Sequence, residues 1–134
     1  VHRVGHRAAE LAGTPNVFES TMNRDHLVRL MRAAQQQGQS GGDDDGFDPE
    51  GPADDGNPFG TPEAEISLRV DVSAFIDVKR ASIRCHASQI TDSGFFAQMP
   101  DDAFAMAFGA EWFIRKGQSG PPKLGFLTDE LTPS

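Results

Sequence analysis

The sequence predicts an α/β fold, and three observations predict it. From Glu65 to Val72 apolar and polar residues alternate, with Ile66, Leu68, Val70 and Val72 on one side and Ser67, Arg69 and Asp71 on the other. That period of two marks a half-buried strand. Directly after it, Phe75, Ile76, Lys79, Ile83, His86 and Ile90 recur at helical spacing, so Ala74 to about Gln89 reads as a long helix with Ser73 as its N-cap. The first 37 residues show the same alternation of classes, as helix, strand and helix.

Taken in order, Val1, Val4, Ala8 and Leu11 place the tail of an amphipathic helix over Val1–Ala12. Gly13-Thr-Pro-Asn16 stops it, because Gly suits the C-cap and Pro15 cannot continue a helix. Asn16–Thr21 reads as a short strand around Val17 and Phe18. Asn23 can cap the next helix, Arg24 to about Gln36, whose inner face is Leu27, Leu30, Met31 and Ala34. Beyond the long central helix, Thr91-Asp-Ser-Gly94 is a turn and Pro100 suits the first turn of a helix ending at Phe108. Gly109 breaks that helix, Trp112–Arg115 reads as the last strand, and Trp112 and Phe108 read as core anchors.

Charge divides the chain into four parts. Between Gly38 and Thr61 lie seven acids, seven of the 14 Gly and three of the nine Pro, with no Lys or Arg. With Glu63 this one insert accounts for the whole net charge of −8. Residues 1–37 then form an α/β segment, 38–63 an acidic insert, 64–117 a strand–helix–helix–strand segment, and 118–134 a loose tail rich in Gly and Pro. Dense Gly and like charges make ordering costly, so Gln39–Gly60 is expected to be mobile, with Phe47 and Phe59 as docking points. The acidic balance argues against nucleic acid as a partner, since phosphate repels it.

At 134 residues the chain is one domain at most. Its single cysteine, Cys85, excludes an internal disulfide or a cysteine-rich zinc site and suits a reducing, cytoplasmic setting. No apolar run reaches the length of a membrane span. The chain opens on Val in the middle of a helical pattern, which reads as a piece of a longer protein.

Several motifs point to chemistry. Gly38-Gln-Ser-Gly-Gly42 has the letters of a nucleophile elbow, but Ser40 follows a helix where the elbow needs a strand. Asp43–Asp48 evokes a calcium loop, yet aligning Gly46 with its glycine puts Gly41 and Pro52 where carboxylates are required. His2 and His6 have the i,i+4 spacing of two helical metal ligands, without a third donor nearby in sequence, and otherwise read as exposed polar residues. His26, in the first turn of its helix, reads as a surface residue. Lys79, His86 and Gln89 share one face of the long helix, a face otherwise apolar and turned inward. Polar groups there need partners or a wet cleft. Lys79, His86 and Gln89 are therefore the substrate-cleft candidates, against the simpler alternative of core-edge side chains bonded to backbone.

The combination Lys79…His86-Ala-Ser-Gln89, Phe95-Phe96, Met99-Pro-Asp-Asp102 and Phe108-Gly-Ala-Glu-Trp-Phe-Ile-Arg115 resembles the C-terminal part of LmbE/PIG-L-type deacetylases, closest to their actinobacterial branch. Asn16–Asp25 is similar to a strand–helix junction of that branch, and Val1-His-Arg3 to the helix after its second metal motif. The resemblance implies the C-terminal portion of a Rossmann-like layered fold. It also implies zinc-dependent hydrolysis of an N-acyl group from an amino-sugar substrate, with an aspartate as base. The family's A-H-P-D-D-E and H-P-D-H motifs, which carry metal and base, are absent from these 134 residues. No catalytic or metal residue is therefore assigned here, and zinc is expected only of a longer polypeptide. The alternative, from a different class, is a non-catalytic α/β binding module with an acidic arm.

Overall fold

The computed structural model describes residues 2–36, 51, 56, 58–85 and 99–131. In chain order its elements are α1 (His2–Ala12), β1 (Phe18–Thr21), α2 (Arg24–Gln36), β2 (Leu68–Asp71), α3 (Ile76–Arg84), α4 (Asp101–Phe108), β3 (Ala110–Arg115) and β4 (Lys123–Leu124). Short 3-10 segments cover Glu63–Glu65, Ser73–Phe75 and Leu127–Leu131. The α/β reading is borne out as a mixed sheet with helices against it.

The sheet has the order β1-β3-β2-β4, antiparallel at β1–β3 and β3–β2 and parallel at β2–β4. The central strand β3 thus joins the two halves of the chain. Register assigns its faces. Trp112 stands opposite Thr21 in β1 and Arg69 in β2, so the three share one face. The His26 ring lies 5.5 Å from Trp112, which puts α2 on that face. Phe113, opposite Ser20 and Leu68, belongs to the other face, as does Glu111 opposite Val70. There α3 packs, with Lys79 Nζ 3.2 Å from Glu111 Oε1.

The predicted alternation of β2 holds: Ile66, Leu68 and Val70 are buried, and with Phe104 and Trp112 they form the core. Asn23 caps α2 as expected, its Oδ1 accepting from the His26 amide at 2.9 Å. α1 ends in a Schellman motif, in which the Gly13 amide donates to Glu10 O and the Thr14 amide to Ala9 O. Gly13 takes the φ of +65° that this motif requires.

Other expectations are corrected. Ser73 does not cap the long helix; its amide donates to Asp71 Oδ1 at 2.9 Å, an Asx-type turn that opens a 3-10 segment before α3 begins. The tighter winding, three residues per turn, carries Phe75 off the α3 stripe, and it is 64% exposed rather than inward. α3 is described to Arg84, with Cys85 just past its end, while His86–Gln89 lie outside the described residues. The apolar stripe of α1 faces solvent, as Val4 and Leu11 show. His26 is not a plain surface residue, since it packs on Trp112 and its Nε2 lies 3.2 Å from Met106 O. Phe104, rather than Phe108, is the buried anchor of α4.

Trp112–Arg115 is not the last strand. The tail adds β4, with the Lys123 amide donating to Ser67 O and the Gly125 amide to Arg69 O. Backbone pairing along an open sheet edge needs no apolar pattern, so no periodicity announces it. Of the insert, Phe47 and most of its acids lie outside the described residues, whereas Pro58–Gly60 are described and bonded to the body.

Candidate functional site

Between α3 and the start of β3 runs a shallow groove of about 360 Å³, lined by Val72, Phe75, Val78, Lys79, Ser82, Ile83 and Glu111. Its origin is local. The 3-10 segment leaves Phe75 on one lip, and Val78, 67% exposed, continues that lip one turn along α3. Lys79 and Ile83 fall on the next line of the helix, toward the sheet.

Lys79 is the one sequence-predicted cleft residue whose surroundings are described. Its Nζ donates to Phe108 O at 3.0 Å and lies 3.2 Å from Glu111 Oε1. Phe108 ends α4, so the ammonium sits at the negative end of that helix. Its methylene stem lines the groove while its head is held at one end. The groove therefore presents an apolar wall with a paired ammonium and carboxylate at its margin. Such a surface can hold the C–H face of a ring and hydrogen-bond its hydroxyls. His86 and Gln89, the other two candidates, lie outside the described residues.

Among the described residues, no three His, Cys, Asp or Glu side chains cluster to hold an ion. His6, which the i,i+4 spacing paired with His2, instead brings Nε2 against Glu19 Oε1 of β1 and is partly buried there. The described residues thus do not fit a zinc site. Ser40 and Asp43–Asp48 lie outside the described residues.

Sequence reasoning missed a polar network where β1 runs into α2. Asn23 is 1% exposed, and besides capping α2 its Nδ2 donates to Glu63 Oε2 at 3.1 Å. Arg29 reaches the same carboxylate oxygen, and the Glu63 amide donates to Asp25 Oδ2 at 2.8 Å. Arg24 Nε donates to Phe59 O at 2.8 Å and Nη2 to Gly60 O at 3.1 Å. Thr61 completes the anchor, its amide donating to Met22 O and its carbonyl accepting from the Arg24 amide. The Arg29 guanidinium, then the Asn23 amide, hold the Glu63 carboxyl below the usual carboxylate range. The only sequence signal was the density of charged and amide residues in Asn23-Arg-Asp-His26. Its partners lie at the far end of the insert, beyond any local pattern.

No protein-family profile matches the chain, and no solved structure matches it. Curated relatives do. The chain is 30% identical over 133 residues to a 1D-myo-inositol 2-acetamido-2-deoxy-alpha-D-glucopyranoside deacetylase of Nocardioides sp., covering 89% of the chain and 43% of that protein. A deacetylase of the same name from Saccharomonospora viridis is 33% identical over 109 residues, 81% of the chain and 35% of the relative. One from Acidothermus cellulolyticus is 38% identical over 60 residues, 45% of the chain and 20% of the relative. The chain is therefore homologous to a part of the actinobacterial 1D-myo-inositol 2-acetamido-2-deoxy-alpha-D-glucopyranoside deacetylases, and it spans less than half the length of each of these relatives.

Proposed function

We propose that this chain is the C-terminal segment of a zinc-dependent deacetylase that removes the acyl group from an N-acyl amino sugar. One observation carries the reading: similarity to a named deacetylase extends over 89% of the chain. In this reading the segment completes a Rossmann-like layered fold and supplies part of the sugar cleft. Because the A-H-P-D-D-E and H-P-D-H motifs are absent from these 134 residues, the reading assigns zinc and the base that works with it to side chains outside them. The groove beside Lys79 takes the sugar ring, with Phe75 and Val78 against its C–H face and Lys79 and Glu111 at its hydroxyls. We assign His86 and Gln89 to the same cleft on their sequence spacing from Lys79 alone.

A chimera tests the assignment. The matched segment of the Nocardioides deacetylase is replaced by this chain, and acetate release from the N-acetylglucosaminyl inositol is measured beside zinc content. Retained release, with KM raised several-fold by Phe75→Ala and kcat little changed, is the expected result. A folded, zinc-loaded chimera that releases no acetate overturns the proposal.

A further inference from the structure

We infer that the apolar stripe of α1 is the docking face for the part of the deacetylase polypeptide that lies outside this chain. Val4, Ala8 and Leu11 stand at i, i+4 and i+7, on one line of the helix. Val4 is 72% exposed and Leu11 73%. The opposite side of α1 meets the sheet, and it does so with polar groups: His6 contacts Glu19 of β1, and Glu10 accepts from Lys116 Nζ at 2.5 Å. This inverts the usual arrangement, in which a helix turns its apolar face to the sheet and its charges to water. A helix built this way is a middle element, bonded to one layer through its polar side and packed on another through its apolar side.

The occupant follows from two further facts. More than half of the Nocardioides relative lies outside the region this chain matches. The stripe, eight residues from Val4 to Leu11, presents three apolar side chains over about 10 Å of helix, too few to bury the roughly 1,200 Å² that a stable interface between separate molecules requires. Packing within one polypeptide carries no such demand, since the association cost does not arise. The inference rests on the functional reading above, because it takes the missing portion to be the rest of a deacetylase.

Thiol labelling of a Leu11→Cys variant tests it, read peptide by peptide in this chain alone and in the chimera. In the chain alone Leu11→Cys should label as fast as the exposed Cys85. In the chimera it should label at least about tenfold more slowly, as expected of a well-buried contact. Equal rates in the two proteins overturn the inference, as does slow labelling of the chain alone that deepens with concentration, which would assign the stripe to a second copy. Leu11→Asp is the second variant: it should leave the unfolding midpoint of the chain unchanged and lower that of the chimera. None of these readouts uses turnover. A protected Leu11→Cys in an inactive chimera retires the proposed function and keeps the docking face, and free labelling in an active chimera does the reverse.

Discussion

Asn23 and Glu63, 40 residues apart in sequence, meet side chain to side chain, the Asn23 amide donating to Glu63 Oε2 at 3.1 Å. The other end of the same Asn23 amide group caps α2. One buried side chain therefore sets where a helix starts and where the acidic insert returns to the body.

Asn23→Ala removes both bonds and leaves the His26 amide without its cap. The expected loss is about 1–3 kcal/mol, from the cap and the uncompensated polar groups together. Urea unfolding of the 134-residue chain measures it. Asn23→Asp, which keeps a capping oxygen but sets a carboxylate against Glu63, should recover α2 helicity by circular dichroism and restore only part of the stability.

Stability should fall at acid pH partly through Glu63. Its carboxyl is held below the ordinary range by Arg29 and then Asn23, so its contribution is present above the unfolded carboxylate pKa. It is lost as pH falls through the lower, folded value. Because the side chain is 35% exposed, water screens the pair, and the effect should stay under about 1 kcal/mol. Unfolding curves at pH 7, 5 and 3 should show Glu63→Gln less stable than wild type at pH 7, with the gap narrowing as pH falls. A constant gap at all three values would locate the effect in packing.

Gly60 and Gly13 separate strain from collision. Both have positive φ, +63° and +65°, but a Cβ on Gly60 would stand 2.6 Å from Met22 O, while one on Gly13 meets nothing within 4 Å. Met22 O already accepts from the Thr61 amide at 2.8 Å, so it cannot retreat without loosening the insert's anchor. Gly13→Ala should cost about 1 kcal/mol. Gly60→Ala should cost about 2–3 kcal/mol and raise hydrogen exchange at Thr61 and Arg24.

Phe104 and Trp112 should be the costliest truncations of the described core. Phe104 is 1% exposed, stacked with Phe108 at 4.8 Å and covered by the Arg80 guanidinium 4.4 Å from its ring. Trp112 packs against His26 on one side and lies beneath Arg69, 5.7 Å away. Either change to Ala should cost about 3–5 kcal/mol. Calorimetry should find Phe108→Ala, half-buried, clearly milder.

Lys79 allows structural and ligand roles to be read apart. Lys79→Met keeps the stem that lines the groove and removes the head that meets Phe108 O and Glu111. Stability should fall by about 1 kcal/mol, and in the chimera KM should rise more than kcat falls. A loss of stability with unchanged KM would make Lys79 a helix cap alone.

What the sequence determined by itself was the set of elements whose cause is local. The alternation of β2 and the Asn23 cap depend on residues a few positions apart, and the structure keeps them. So does the stop after α1, where Gly13 and Pro15 act through their own backbone limits. The resemblance to a deacetylase was likewise legible, because it lies in the order of residues. What only the tertiary structure decided were the partners of groups that local pattern leaves open. The α1 stripe was readable as apolar, but its outward direction follows from His6 and Glu10 finding Glu19 on β1 and Lys116 just past β3. Phe75 fell off its helical line because an Asp71–Ser73 turn intervened. β4 joined the sheet through backbone hydrogen bonds, whose donors and acceptors nearly every residue carries. Lys79 lay on the inward face that periodicity foretold, yet its role depends on where α4 ends, and that is fixed by contacts between segments about 30 residues apart.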